Sequence, residues 1–137
     1  MSAHMTEDQT LLQDAAERYL RDSYDFNQRR ERIAGGVYSD PGQWQAFAEM
    51  GWLALPVLEE FGGLGMGTRE MAILAELCGQ FLVTEPLIDA LAATHAIIGV
   101  SQQQESLLPR VAQGDLIPVA AIDEAQTASR LTPATAL

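Results

Sequence analysis

The order of apolar and polar positions along the chain predicts helices almost throughout. Thr6-Glu7-Asp8-Gln9 has capping-box spacing, in which a hydroxyl takes an orphan amide of the first turn while the Gln side chain reaches back. Leu11, Leu12, Ala15, Ala16, Tyr19 and Leu20 then recur at one-turn spacing opposite Asp14, Glu17, Arg18 and Arg21. An amphipathic helix ending or bending near Asp22-Ser23 follows from that stripe. A thinner apolar face, Phe26 and Ile33 around Arg29-Arg30-Glu31-Arg32, predicts a second helix over about 25–34, stopped by Gly35-Gly36. Asp40 caps the next helix and Pro41 opens it at a position where its missing amide costs nothing. That helix carries Trp44, Phe47, Ala48 and Met50 and stops at Gly51.

Trp52 to Pro56 is a short apolar stretch feeding a glycine-rich loop through Gly67. Thr68 is expected to cap a helix lined by Met71, Leu74, Ala75 and Cys78 and ended by Gly79. The segment from about 84 to 98 is apolar on nearly every side, which predicts a buried central helix. Ser101-Gln102-Gln103-Gln104 reads as a third capping box opening a short helix to about Leu108. Pro109 is expected to start a separate last turn through Val111 and Ala112, ending at Gly114. Leu116 to Asp123 alone reads as a strand, and residues 125–137 are small and polar without periodicity. A lone strand lacks partners for its amides, so the composition shift at Gly114 reads as a domain boundary. The expectation is an all-α fold, an orthogonal bundle of about six helices over residues 6–115, with a strand-like C-terminal tail. Residues 116–137 read as the start of a truncated further domain, strand-like and then disordered. Met1-Ser-Ala-His-Met5 reads as a cloning scar over residues 1–5.

Composition narrows the function classes. The chain has 137 residues, 47% of them hydrophobic, which suits one globular domain. Its 8 basic residues, all Arg, face 19 acidic ones for a net charge of −11. That balance argues against nucleic acid, whose binding needs clustered Lys and Arg, and against an anionic membrane surface. Cys78 is alone, so neither an intrachain disulfide nor a multi-cysteine zinc site is available. No apolar run of about 18 residues and no signal-peptide pattern is present, and a cytoplasmic setting is the expectation.

Most candidate chemistry has a plainer structural reading. Gly62-Gly63-Leu64-Gly65-Met66-Gly67 invites a phosphate loop, but it has neither G-x-G-x-x-G spacing nor a following Gly-Lys-Ser/Thr; a tight turn between helices is the stronger reading. His95 has no second His or Cys near it in sequence and reads as a packed or interfacial helix residue rather than a metal ligand. Glu59-Glu60 could be paired acid-base carboxylates, yet adjacent residues do not face one pocket, so a solvated turn is expected. No G-x-S-x-G elbow supports serine hydrolysis. The Arg29–Arg32 run, with Glu31 inside it and Asp22 and Asp25 before it, reads as a solvated or interface helix.

Taken in order, these local features are familiar as a set. Thr6-Glu-Asp-Gln-Thr-Leu-Leu, Trp44-x-x-Phe47-Ala48-Glu49-Met50-Gly51-Trp52, Glu59-Glu60-Phe-Gly62-Gly63-Leu-Gly65, Glu76-Leu-Cys-Gly79, Glu85-Pro86 and Leu108-Pro109-x-x-Ala112-x-Gly114 resemble the N-terminal helical domain of acyl-CoA dehydrogenases over about residues 6–124. Tyr24-Asp25-Phe26 and Glu85-Pro86-Leu87 look closest to the branch holding small subunits of dicarboxylyl and related acyl-CoA dehydrogenases. The resemblance implies an FAD-dependent oxidoreductase that removes a proton and a hydride from adjacent carbons of an acyl-CoA thioester. It also implies a middle β-barrel, of which Leu116–Asp123 would be the first strand, and a C-terminal bundle carrying the catalytic glutamate. No catalytic residue is assigned in this chain, which is expected to be inactive alone and to retain no flavin. The flavin-contacting positions implied are Ile122, Asp123 and Ser129. Where the family commonly has Val-Thr-Glu-Pro and then Gly-Ser-Asp, this chain has Ile122-Asp123-Glu124-Ala125 and then Ala128-Ser129-Arg130. The acyl pocket wall falls on the 84–98 helix, with Leu87, Ala90, Leu91 and Thr94 as candidates; the alternative is that all four are core. A homo-oligomer or a hetero-oligomer with a related dehydrogenase subunit is the expected assembly, with the 116–124 segment pairing between chains or crossing to a neighbour. The alternative function is a non-catalytic small subunit or interaction module that docks on a partner dehydrogenase chain.

Overall fold

The computed structural model describes residues 4–100 and 102–120. Six α-helices occur among them: α1 (Glu7–Ser23), α2 (Phe26–Ala34), α3 (Pro41–Glu49), α4 (Thr68–Gln80), α5 (Leu87–Val100) and α6 (Gln104–Ala112). A single 3₁₀ turn spans Glu59–Phe61, and no strand occurs among the described residues. The all-α expectation therefore holds.

Local chemistry sets most boundaries. The α1 box closes as its sequence requires, with the Gln9 amide donating to Thr6 Oγ1 at 3.2 Å and the Thr6 amide to Gln9 Oε1 at 3.0 Å. Asp25 takes the amides of Asn27 and Gln28 at the head of α2, and Asp40 takes that of Gly42 at the head of α3. At α4 the cap lies one residue earlier than expected: Gly67 is the flanking residue, and Glu70 accepts its amide at 3.0 Å.

Two expectations fail near the C-terminal end. Pro109 does not separate two turns; it lies inside a continuous α6 with Gln103 as N-cap. Burial of Leu108, Val111 and Ala112 on one face holds the turn together although the proline removes one backbone bond. Residues 116–120 adopt no regular secondary structure, since among the described residues no second strand is present to take their amides. The rest of the expected strand, 121–123, and Ser101 of the expected third capping box lie outside the described residues.

The core gathers where α1 lies along α4 and α4 along α5. Leu20, Phe47, Leu53, Leu55, Leu74, Leu77, Leu87 and Leu91 are fully buried there, each worth about 1.5–3 kcal/mol over an exposed position. Phe47 is its aromatic centre, stacked on Trp52 at 4.8 Å and meeting Tyr19, Tyr24 and Trp44 within 6.5 Å. A second cluster, Ala54, Val57, Leu108 and Ala112, seats α6 on the apolar segment that follows Trp52. The Trp44 indole N–H donates to the Gly114 carbonyl at 3.2 Å and fixes the end of α6 to α3.

The apolar segment Trp52–Val57 is buried without being helix or strand. Its carbonyls need donors, and the glycine loop folds back to supply them. Leu64 N–H reaches Ala54 O at 2.9 Å, Met66 N–H reaches Leu55 O at 2.7 Å and Gly65 N–H reaches Val57 O at 2.8 Å.

Candidate functional site

Helix α5 carries the sequence-predicted pocket residues, and its rotation decides what they can touch. Leu87, Ala90, Leu91 and Thr94 are 0–2% exposed and turned into the domain's own core. The Thr94 hydroxyl is engaged by its own helix, donating to Ala90 O at 2.7 Å. The opposite row, Ile88, Asp89, Ala92, His95, Ala96 and Gly99, faces outward, so α5 is not buried on all sides. Asp89 and His95, the ionisable side chains of α5, both lie on that outward row and mark its phase, which a reading of the segment as apolar on nearly every side passes over.

Residues 116–120 run past this outer side and leave a concave groove against α5. One lobe, about 270 Å³, is lined by Ala93, Ala96 and Ile97 from the helix and by Leu116, Pro118, Val119 and Ala120 from the segment. The other, about 450 Å³, is bounded by Pro86, Asp89 and Ala92 and by the same Pro118, Val119 and Ala120. Pro118 is buried while Ile117 and Val119 on either side of it are exposed, which anchors the segment at one point. The lining is small and apolar, with Asp89 its one charge. Sequence reading missed Ala93, Ala96, Ile97 and Pro118; the signal was the one-turn spacing of 93, 96 and 97 on a row of small side chains.

The other candidates do not assemble. All six amides from Gly62 to Gly67 donate within the chain, to Glu59 O, Leu58 O, Ala54 O, Val57 O, Leu55 O and the Glu70 carboxylate, so none is free to cradle an anion. Glu59 and Glu60 are exposed on the 3₁₀ turn, and His95 is exposed on α5. Arg29 donates to Leu82 O at 2.9 Å, and Arg32 lies 3.5 Å from Asp40. Among the described residues no group of three metal-ligating side chains occurs, and no helix is long and apolar enough to cross a membrane. Ile122, Asp123 and Ser129 lie outside the described residues. No side chain lining the groove offers a donor for a flavin's carbonyls or phosphates, so the described side chains do not build a site for that cofactor.

Among the described residues two groups have shifted acidity, both away from the groove. A hydrogen bond from the Gln9 side chain holds the Glu70 carboxyl below its ordinary range; the Gly67 amide and Arg69 act in the same direction, and burial opposes them. Burial pushes the Cys78 thiol up to about 11.

A helical domain with an apolar groove along one helix can be set against known proteins. The sequence model for "Acyl-CoA dehydrogenase, N-terminal domain" matches residues 6–115. The chain belongs to the acyl-CoA dehydrogenase family. It is similar to (2S)-methylsuccinyl-CoA dehydrogenase of Cereibacter sphaeroides, 30% identical over 64% of this chain and 17% of that protein. It is also similar to acyl-CoA dehydrogenase IpdE2 of Mycolicibacterium smegmatis, 28% identical over 80% of this chain and 35% of the relative. A chain in the crystal structure of the ChsE4-ChsE5 complex from Mycobacterium tuberculosis superposes with a TM-score of 0.62 and 26% identity, over 85% of this chain and 30% of that one. This acyl-CoA dehydrogenase N-terminal domain thus spans between about a sixth and a third of the length of these relatives.

Proposed function

We propose that this domain lines the acyl side of the substrate cavity of an FAD-dependent acyl-CoA dehydrogenase and does no chemistry alone. The groove between α5 and residues 116–120 carries the reading, because a small-residue apolar channel suits an alkyl chain and little else. In this reading Ala92, Ala93, Ala96 and Ile97 touch the chain, while Leu87, Ala90, Leu91 and Thr94 hold the wall from behind. FAD in the complete protein would supply the hydride acceptor, Ile122, Asp123 and Ser129 are the positions proposed to hold it, and no residue of this chain is assigned as the base. Residues 6–115 are then the helical domain and 116–137 the start of a following β-domain. The protein works in the cytoplasm, as a homo-oligomer or paired with a related dehydrogenase subunit.

The test is titration of the 137-residue chain with a fluorescent alkyl-acyl-CoA. Saturable binding, displaced by unlabelled acyl-CoA and lost in Ala96→Trp, is expected. Ala96 is exposed, so the variant should keep its helicity while the new indole fills the groove. Binding indifferent to Ala96→Trp overturns the reading.

A second reading is a non-catalytic small subunit that docks on a partner dehydrogenase chain. The structural relative sits in a complex of two differently named chains, and Phe26 and Tyr38 expose large aromatic surface here. Tight FAD binding with bleaching by acyl-CoA in the complete protein favours the first reading, and failure of both favours the second.

A further inference from the structure

Two residues before the N-terminus of α5 stands a buried carboxylate that the groove does not use. Glu85 is 5% exposed. One of its oxygens accepts from the Tyr24 hydroxyl at the end of α1, and the other accepts from the Asp40 amide at the head of α3, at 3.1 Å. These partners stand 61 and 45 residues away in sequence. Arg32 of α2 closes the cluster, with its guanidinium 5.7 Å from the Tyr24 ring centre and 3.5 Å from the Asp40 carboxylate. One side chain therefore ties together the ends of three helices.

Its connection to the groove is short. The Glu85 carbonyl accepts from Leu87 N–H at 2.8 Å, and the Pro86 carbonyl accepts from Ala90 N–H at 3.0 Å, so these two residues are bonded directly to the first turn of α5. Pro86 and Asp89 are themselves groove lining. A carboxylate buried away from any directly bonded cation carries a desolvation cost, which fixed hydrogen bonds to both oxygens offset. What the carboxylate adds is direction, because its two acceptors satisfy donors from two separate helix ends at once.

We propose that Glu85 is a positioning residue that sets the placement of α5, and with it the mouth of the groove, by latching the first turn of that helix to α1 and α3. Its consequence for substrate rests on the groove reading above; its effect on α5 does not. The test is native-state hydrogen exchange of the whole chain by NMR, comparing Leu87 and Ala90 amides with amides in the middle of α4. Glu85→Ala should speed exchange at Leu87 and Ala90 about tenfold while α4 stays unchanged. Glu85→Gln should return both to within about threefold of wild type, because its amide oxygen can take the Asp40 N–H while its NH₂ donates to the Tyr24 oxygen. Tyr24→Phe removes a single O–H and should speed the same two amides about threefold, which keeps the test open should Glu85→Ala not fold. Uniform acceleration across all helices, no local change in Tyr24→Phe, or a Gln variant as fast as the Ala variant would each overturn the latch. Exchange as expected with no acyl-CoA bound by any variant supports the latch and counts against the groove reading alone.

Discussion

Gly63 gives the sharpest test of why the glycine cluster exists. A Cβ built there would lie 1.9 Å from the Val57 carbonyl oxygen and 2.4 Å from the Val57 Cβ, so the obstacle is mainly backbone and cannot swing away. The loop must retreat by more than an ångström, and the bonds from Gly63, Leu64, Gly65 and Met66 to Leu58, Ala54, Val57 and Leu55 all cross that gap. Losing two of them and leaving buried carbonyls without donors costs about 2–4 kcal/mol, a large part of the stability of a domain this size. Gly62→Ala is the first control, because its φ of +83° disfavours a side chain although the space beside it is open; about 1 kcal/mol is expected. Gly79→Ala is the second, near the end of α4 with nothing within 4 Å, and should stabilise by about 0.5–1 kcal/mol. Urea unfolding followed by the fluorescence of Trp44 and Trp52 reads all three as midpoint shifts. If Gly63→Ala matches wild type, or costs less than Gly62→Ala, the loop is not a packing device and the reasoning fails.

Three further outcomes follow from named contacts. Glu70 is held below the ordinary range in the folded state, so its contribution to stability is complete above about pH 4.5 and is lost as pH falls through the folded value. Gln9→Ala should therefore lower the urea midpoint most near neutrality, and its gap from wild type should shrink below pH 4.5; a gap constant with pH refutes the bond's role. Cys78, buried and with its thiol raised to about 11, should resist a disulfide reagent at pH 8 and react only as fast as the chain unfolds. Asp89 is the one charge in the groove, so an alkyl-acyl-CoA should outbind one whose chain ends in a carboxylate, and Asp89→Asn should narrow that ratio about tenfold; an unchanged ratio removes Asp89 from the site.

What was legible in the sequence was mostly local. Thr6, Asp25 and Asp40 mark helix starts because a short polar side chain satisfies amides two or three residues on, and that chemistry needs no tertiary partner. Burial overrode the local rule at Pro109, where Leu108 and Val111 keep the helix continuous. The family was legible because short motifs recurred in order. The groove was harder to see: Asp89 and His95 mark the outward row of α5, but the other wall of the groove, residues 116–120, is brought against that row only by the fold. The Glu85 latch was hidden for the same reason: its partners are brought close only by the fold, across 61 and 45 residues.

In the proposed function the groove-lining residues of α5 touch an acyl chain. An acyl-CoA carrying a photoreactive diazirine at the end of its alkyl chain, irradiated on the full 137-residue chain and mapped by mass spectrometry, tests it directly. Label is expected on Ala93, Ala96 or Ile97 and on Leu116–Ala120, suppressed by excess unlabelled acyl-CoA. Label spread over other helices, or undiminished by the competitor, would contradict it.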